Sequence, residues 1–327
     1  MRKEIVKERS KLLKRVCYLV LVILLLSTVG CSKEPAPAPK KPVELAPEVK
    51  KYDKEPTITL YRSATGAKEE IKLEEYLKGV VAAEIGDEFP MEALKAQAIV
   101  ARTMTLAMME YEKGTKEKHN TDASDDHTEF QAYDRDRITE NISKAVEETR
   151  GQVLTNNGKF VYALFHSASP KKTASIEEGF PNLVKKAPYI VPVETDGLKN
   201  APSKYRNWTV KIPRWEIKKI MGSKAGTLDD IKIAQKGPSG RAIKITAGKA
   251  SISAVDLRQK VGFDRLYSTY FHSITPEGNY IVFKGSGWGH GCGMEQWGAY
   301  TMAKEGKTAK EIVEHYYPKA TWTKLYE

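Results

Sequence analysis

Residues 74 to 106 read EEYLKGVVAAEIGDEFPMEALKAQAIVARTMTL. The spacing of the apolar side chains predicts two helices joined by a short acidic turn. In the first helix, Leu77 and Val80 mark an apolar face, and the helical period extends that face to Glu84. The second helix is predicted to begin near Pro90, because proline is favoured in the first helical turn. This pair of helices is the predicted centre of the fold.

Glu84 is the first candidate for a functional residue. A carboxyl group that continues an apolar face lies buried or at the lip of a cleft, and burial raises its pKa towards neutrality. On the second helix, Lys95 and Arg102 are seven residues apart and share a face. The pattern alone leaves two interpretations of Glu84, which is either a general acid beside two basic groups or a solvated ion-pair partner of one of them.

A resemblance to a known family bears on that choice. The 74 to 106 stretch resembles the core motif of the SpoIID/LytB family of bacterial cell-wall proteins. Residues 285 to 318 resemble the Gly-rich motif of the same family and read GSGWGHGCGMEQWGAYTMAKEGKTAKEIVEHYYP. With weaker matches between the two motifs, the resemblance extends over roughly residues 57 to 325. It implies a lytic transglycosylase of peptidoglycan glycan strands, with Glu84 as the catalytic residue.

The resemblance also implies roles for other side chains. Residues 165 to 169 read FHSAS and resemble a family element at the active cleft. The resemblance implies substrate-binding roles for Lys95, Arg102, Tyr133, His166, Ser167, Ser169, Tyr189, His290 and Gln296, with Trp297 beside them. A Ser–His hydrolase is disfavoured, because neighbouring side chains on a strand point to opposite faces and no G-x-S-x-G turn is present. The chain departs from the family at residues 170 to 172, which read PKK where a pair of glycines is common.

The remaining folded part predicts an α+β fold. Residues 57 to 62 alternate like a strand, and residues 151 to 169 indicate a hairpin with its turn at 156 to 158. Residues 205 to 284 predict an inserted, mostly β unit with two flanking helices. We therefore expect a helical core that carries Glu84, packed with antiparallel hairpins and this β-rich unit.

The N-terminal residues predict export. Residues 1 to 31 hold a basic segment, an apolar run and then Cys31. The run is shorter than the ~20 residues of a comfortable membrane span, and it resembles a lipoprotein signal cleaved before a lipidated Cys31. An uncleaved signal anchor is the alternative. Residues 32 to 56 are Pro-rich and charged, which predicts an extended tether. Either way, the domain at 57 to 325 is expected outside the cytoplasmic membrane and anchored to it.

Composition narrows the class of partner. The formal net charge of +11 suits an anionic partner such as the bacterial wall or a membrane surface. No basic patch interleaved with aromatic residues forms a nucleic-acid motif, so no nucleic-acid partner is predicted. Cys292 is the one cysteine of the folded part, which excludes an intramolecular disulfide there.

No metal or other cofactor is predicted. His119 and His127 remain in a region where some members of the family bind zinc. Ser124 and Phe130 stand where the zinc-binding cysteines of those members would fall. Two histidines with nearby acidic residues are an incomplete zinc site, and a solvated loop is the favoured interpretation.

The number of carboxylates decides between reactions. Ordinary glycoside hydrolysis uses two carboxylates, and no second one stands out beside Glu84. A lytic transglycosylase needs one, because the C6 hydroxyl of the substrate is the nucleophile. Together with the resemblance, this favours a lytic transglycosylase, and the resemblance implies a role in cell-wall remodelling during sporulation. The alternatives are a LytB-like module that grips glycan and enhances a cell-wall amidase, and a lipoprotein scaffold without glycan affinity.

Overall fold

A computed structural model of the chain describes residues 43–327. The predicted export signal with its Cys31, and residues 32–42 of the predicted tether, lie outside the described residues. Within residues 43–327, no helix is long and apolar enough to cross a membrane.

The first half of the described chain supplies the helical core. Its elements are α1 (Pro47–Lys50), β1 (Thr57–Tyr61), β2 (Lys68–Lys72), α2 (Leu73–Glu84), α3 (Met91–Tyr111), α4 (Lys116–His119), β3 (Ala123–Ser124), α5 (Glu140–Glu148), β4 (Gln152–Asn156), β5 (Lys159–Phe160) and β6 (Phe165–His166). The two predicted helices are confirmed as α2 and α3. Glu84 is the last residue of α2, and Pro90 directly precedes α3.

Helix α3 is the centre of this core. It contacts α2, α5, β4 and the two C-terminal helices, and most of its side chains are buried. The apolar face of α2 packs against it through residues such as Leu77 and Val80, which are fully enclosed. A helix buried on nearly every side gains stability from the apolar area that it removes from water. Because α2 packs firmly on α3, Glu84 at the end of α2 has a well-defined position.

Both predicted hairpins form. Strands β1 and β2 pair antiparallel from Thr57 opposite Lys72 to Tyr61 opposite Lys68. Strands β4 and β5 also pair antiparallel, and their turn places Asn157 and Gly158 at φ values of 50° and 76°. A tight hairpin turn of this kind needs positive φ at both central residues, which explains the Asn-Gly pair.

The second half of the chain adds the β-rich segment and returns to the core. Its helices and strands are α6 (Ile176–Gly179), α7 (Ser203–Arg206), β7 (Trp208–Pro213), α8 (Arg214–Met221), β8 (Lys232–Lys236), β9 (Ala242–Ala247), β10 (Ala250–Ser253), α9 (Ala254–Val261), β11 (Phe271–Glu277), β12 (Tyr280–Gly285), β13 (Met294–Glu295), α10 (Gln296–Lys304), α11 (Ala309–Tyr316) and β14 (Thr321–Lys324). Short 3-10 turns lie at Pro181–Leu183, Gly197–Lys199 and Ser223–Ala225.

The β-rich segment has a hydrophobic cluster of its own. Two antiparallel sheets, in the orders β10-β9-β8 and β11-β12-β7, pack with α8 and α9 around buried residues that include Ile217, Leu257 and Phe283. The chain then re-enters the core through β13, which pairs in parallel with β6. Helices together with mainly antiparallel sheets confirm the α+β class.

The structure corrects the C-terminal end of the predicted tether. Val49 on α1 is fully buried and Tyr52 is 7% exposed. The Tyr52 ring packs against Phe160 at a centroid distance of 5.8 Å, and Ala46 N–H donates to the Gly158 carbonyl at 2.9 Å. Two apolar side chains that remove their surface from water hold an otherwise polar segment on the core. Residues 44–56 thus belong to the folded part.

This packing predicts the effect of starting the protein at residue 57 rather than at residue 43. The shorter protein loses the burial of Val49 and Tyr52, so we expect its free energy of unfolding to fall by about 2–4 kcal/mol. Urea unfolding of both proteins measures the difference. Equal midpoints would show that residues 44–56 contribute no stability.

Candidate active site

Two distant chain segments hold the carboxylate of Glu84. The backbone N–H of Ala132 donates to Oε1 at 3.2 Å, and the Gln296 side-chain amide donates to Oε2 at 3.3 Å. Burial raises the pKa of Glu84, while these two hydrogen bonds and the charge of His127 act in the opposite direction. Part of the Glu84 surface remains exposed. The site therefore holds an oriented carboxyl group, on a partly exposed residue, that keeps its proton to a higher pH than usual.

A cluster of aromatic side chains adjoins Gln296, the side-chain donor to this carboxylate. The rings of Phe89, Trp297 and Tyr300 lie with centroids 5.0 to 5.2 Å apart. Trp297 and Tyr300 are partly exposed, whereas Phe89 is buried beneath them. Trp297 follows Gln296 at the start of α10, so the same helix turn supplies a donor to Glu84 and an aromatic wall.

Tyr133 lies beside Glu84 through its neighbour Ala132. Its ring stacks on Tyr76 at 5.7 Å and covers Gly79, where a Cβ atom would stand 2.2 Å from the ring. Tyr133 is 8% exposed. Tyr133 is thus near the site, but most of its ring is buried against Tyr76 and Gly79.

The element at 165 to 169 divides into buried and exposed side chains. His166 and Ser169 are enclosed, and Ser167 is partly exposed. His166 Nδ1 lies 3.2 Å from the Cys292 carbonyl, which only accepts, and His166 Nε2 lies 2.5 Å from Ser169 Oγ. Burial holds the pKa of His166 well below its usual range, so the neutral ring donates from Nδ1 and accepts the Ser169 hydroxyl at Nε2. His166 and Ser169 are therefore buried residues whose hydrogen bonds stabilise the segments around the site.

Two charged residues at this site were missed by the sequence interpretation. Arg241, just before β9, is fully enclosed and donates from Nη2 to Ser169 Oγ at 2.8 Å. Glu295 is also fully enclosed, and it accepts hydrogen bonds from Ser169 N–H at 2.7 Å and from the Thr195 hydroxyl. Burial raises the pKa of Glu295 to about 7. An acidic residue inside a Gly-rich, apolar segment was the available sequence signal for Glu295, and Arg241 had none.

The Gly-rich segment packs closely against the rest of the site. Gly291 and Gly293 have φ values of 89° and 69°. A Cβ atom at Gly293 would stand 1.8 Å from the Leu164 carbonyl oxygen, and one at Gly291 would stand 2.3 Å from Arg241 Nε. These glycines therefore permit a close approach between protein segments.

His290 lies on the surface of this segment and is partly exposed. Its ring packs edge-on against Phe180 at 4.8 Å and lies 5.7 Å from the His166 ring. Burial and the neighbouring guanidinium groups of Arg258 and Arg241 lower the pKa of His290 to about 3. His290 is therefore a neutral hydrogen-bonding group at ordinary pH.

The structure corrects the expectation that Lys95 and Arg102 flank Glu84. Arg102 is fully enclosed, and its Nη2 and Nε bind the two carboxylate oxygens of Glu74 at 2.6 and 3.0 Å. Lys95 pairs with Glu92 at 2.9 Å and with Glu148 at 2.6 Å. Neither cation is among the groups that shift the pKa of Glu84. The two residues do lie on one side of α3, but that side faces other helices instead of the cleft.

Two further side chains named in the sequence analysis have partners within the protein. The Tyr189 hydroxyl accepts the Tyr162 backbone N–H at 2.7 Å. His119 stacks on Tyr61 at 3.8 Å and binds Glu129 at 2.6 Å. Across residues 43–327, no group of three or more His, Cys, Asp or Glu side chains is arranged to hold a metal ion.

Comparison with known proteins identifies relatives over most of the chain. The family described as Stage II sporulation protein matches residues 61–156, and a domain of unknown function matches residues 185–293. Stage II sporulation protein D of Bacillus amyloliquefaciens is 31% identical over 274 residues, which cover 80% of this chain and 77% of the relative. Its counterpart in Bacillus subtilis strain 168 is 32% identical with the same coverage. The Bacillus subtilis amidase enhancer is 27% identical over 300 residues, which cover 76% of this chain and 40% of the enhancer.

The buried pair predicts different effects of removing the two cations of α3. Arg102→Ala leaves Glu74 enclosed without its partner, so we expect a loss of about 3–5 kcal/mol in the free energy of unfolding. Lys95→Ala removes a partly exposed pair and should cost about 1 kcal/mol or less. Denaturant unfolding of both variants measures this. A stable Arg102→Ala protein that lacks activity would instead place Arg102 in the chemistry.

The raised pKa of Glu295 predicts a pH-dependent stability. The folded state holds this proton up to about pH 7, whereas an unfolded Glu releases it near pH ~4.3. Stability from Glu295 is therefore complete at low pH and is lost as pH rises through about 5 to 7. We expect Glu295→Gln to gain stability relative to the parent across that window, by at most about 4 kcal/mol. Thermal melts of both proteins at several pH values measure it, and parallel curves would contradict it.

Proposed function

The chain belongs to the stage II sporulation protein D family, and on this premise we propose that it is a lytic transglycosylase of peptidoglycan, acting in cell-wall remodelling during sporulation. One observation carries the proposal. Among residues 43–327, burial clearly raises the pKa of two carboxyl groups, Glu84 and Glu295, and of these Glu84 alone has exposed surface. Glu84 is the general acid and base of the proposed reaction.

Among residues 43–327, Glu84 is the one carboxyl group that combines a clearly raised pKa with exposed surface, which favours a lytic reaction over hydrolysis. Glycosidases that use water need a second carboxylate on the other side of the sugar, about 5 to 9.5 Å from the first. Both oxygens of Glu295 accept hydrogen bonds inside the protein, and its side chain has no exposed surface. Asp87 lies in the turn after α2, where it accepts the Thr139 hydroxyl at 2.6 Å. An intramolecular nucleophile supplied by the substrate removes the need for a second carboxylate.

The proposed reaction proceeds by two proton transfers at Glu84. The protonated carboxyl group donates its proton to the glycosidic oxygen after an N-acetylmuramic acid residue, and the C1–O bond breaks. The C6 hydroxyl oxygen of the same sugar then bonds to C1, while the Glu84 carboxylate accepts the C6 hydroxyl proton. The products are a 1,6-anhydro end and a new hydroxyl end, and Glu84 is again protonated.

Neighbouring residues have supporting roles in this proposal. Ala132 N–H and the Gln296 amide hold the carboxylate and stabilise its charged form between the two steps. The exposed rings of Trp297 and Tyr300 offer flat faces for the sugars. Ser167 retains exposed surface and offers hydrogen-bonding groups for sugar hydroxyls. His290 is also partly exposed, but its Nδ1 already accepts the Cys292 N–H at 3.1 Å.

A second candidate function follows from the similarity to the amidase enhancer. In that case the same groove grips the glycan, and the protein stimulates a partner amidase without cutting the strand. The retained, oriented Glu84 favours the enzyme. If the folded parent protein does not bind glycan strands in vitro, both candidate functions are wrong.

We also propose the setting of the reaction. The export signal at residues 1–31, with lipid on Cys31, would anchor the protein outside the cytoplasmic membrane. Mass spectrometry of the purified mature protein tests lipid attachment to Cys31. A protein that still begins at Met1 and carries no lipid on Cys31 would favour the uncleaved signal anchor.

The decisive experiment compares the parent chain with Glu84→Gln on glycan strands stripped of stem peptides. A general acid typically contributes about 10²–10⁴-fold, so we expect formation of 1,6-anhydro ends to fall by roughly that factor while the fold and glycan binding persist. Mass spectrometry of the products measures the ends, and Asp87→Asn is the matched control. Reducing ends would indicate hydrolysis, and full activity in Glu84→Gln would overturn the assignment.

A further inference from the structure

Three aromatic rings form a continuous row where the β-rich segment meets the Gly-rich segment. Tyr267 stacks on Trp288 with centroids 4.2 Å apart and an interplanar angle of 12°. The Tyr205 ring lies 4.9 Å from the Trp288 ring at an interplanar angle of 50°. All three side chains are partly exposed. We call Tyr205, Trp288 and Tyr267 the aromatic platform.

Backbone hydrogen bonds fix the platform in place. Gly287 N–H donates to the Tyr205 carbonyl at 2.7 Å, and Gly289 N–H donates to the Tyr267 carbonyl at 2.8 Å. The buried Trp208 ring packs edge-on against Tyr267 at 5.7 Å. The rings are therefore held before any ligand arrives, which lowers the entropy cost of binding.

The platform is joined to the site at Glu84 by one hydrogen-bonded path. Trp288 exchanges backbone hydrogen bonds with Ala168, at 2.8 and 3.0 Å. The carbonyl of Ser167, the residue before Ala168, accepts the Trp297 N–H at 3.1 Å. Gln296, the residue before Trp297, donates to Glu84. Successive residues of an extended chain are about 3.3 Å apart. The platform and the carboxylate are thus connected through two adjacent pairs of residues, 167–168 and 296–297.

The chemistry of the platform fits a sugar. The exposed parts of these rigid aromatic rings offer apolar contact area at a low entropy cost, although Tyr267 and Trp288 cover one face of each other. A pyranose has an apolar face of C–H groups and a rim of hydroxyls, which matches such a row. Lys204 is exposed, and its Nζ lies 5.3 Å from the Tyr205 centroid and 5.5 Å from the Trp288 centroid. Its ammonium group provides hydrogen-bond donors at the edge of the platform.

We propose that the aromatic platform is a second glycan-binding site, which stacks on a sugar of the strand away from the bond that is cut. The inference rests on the proposed function for the identity of the polymer. It gives the β-rich segment, including most of the matched domain of unknown function at residues 185–293, a role in holding long strands.

The first test measures binding without cleavage. The full chain carrying Glu84→Gln, in mild detergent, is titrated with purified glycan strands stripped of stem peptides. We expect Trp288→Ala and Tyr205→Leu each to weaken binding about three- to tenfold, as for loss of one aromatic contact. The matched control is Trp215→Ala, because Trp215 is 67% exposed on the same β-rich segment but outside the platform. We expect the control to bind as its parent does.

The outcomes separate this inference from the proposed function. Thermal melts establish whether each variant is folded. If Trp288→Ala is unfolded, Tyr205→Leu alone is used to test the platform. Unchanged binding in the folded platform variants, or an equal loss in Trp215→Ala, would overturn the platform. On the Glu84 background, platform variants should raise KM for long strands more than for a tetrasaccharide, with 1,6-anhydro ends still formed. Weakened binding with no cleavage by the parent would retain the platform and reject the lytic reaction.

Discussion

The close approach of the Gly-rich segment to strand β6 is the constraint on which the site depends. Gly293 stands where any side chain would collide with the Leu164 carbonyl. This approach lets β13 pair with β6 and starts α10 at Gln296, which reaches Glu84 from 212 residues further along the chain. A larger residue at Gly293 would push the segment away, and Glu84 would lose one of its two donors. A sterically demanding packing contact therefore sets the geometry of the proposed chemistry.

Buried charges support the site on two sides. Below α2, the Arg102–Glu74 pair joins α3 to α2 in a fully enclosed position. Behind the Gly-rich segment, Arg241 and Glu295 both bind Ser169, one through its hydroxyl and the other through its backbone. Such groups add little net stability compared with apolar residues, but removing one partner is costly. Their role here is to hold segments in position, because the Arg102–Glu74 pair connects α3 to the helix that ends at Glu84, and Arg241 and Glu295 connect Ser169 to the segments around Gln296.

The β-rich segment is joined to the site through the same residues. It has its own hydrophobic cluster, yet Arg241 extends from it under the Gly-rich segment to Ser169. The aromatic platform stands on this junction, with Trp288 bonded to Ala168. Catalytic and strand-holding functions would then share one backbone scaffold, and this arrangement suits a substrate that is a long polymer.

The sequence by itself determined the local elements of this protein. The period of α2 and α3, the position of Glu84 at the end of α2 and the Asn-Gly hairpin turn follow from neighbours within a few residues. The sequence did not determine which polar groups face the cleft. Arg102 shares a helix face with Lys95, but only the tertiary structure reveals that this face meets Glu74, 28 residues away. The environment of a side chain depends on segments that pack against it, and those are distant in the chain. For that reason the donors to Glu84 and the buried Glu295 became apparent only in the folded protein.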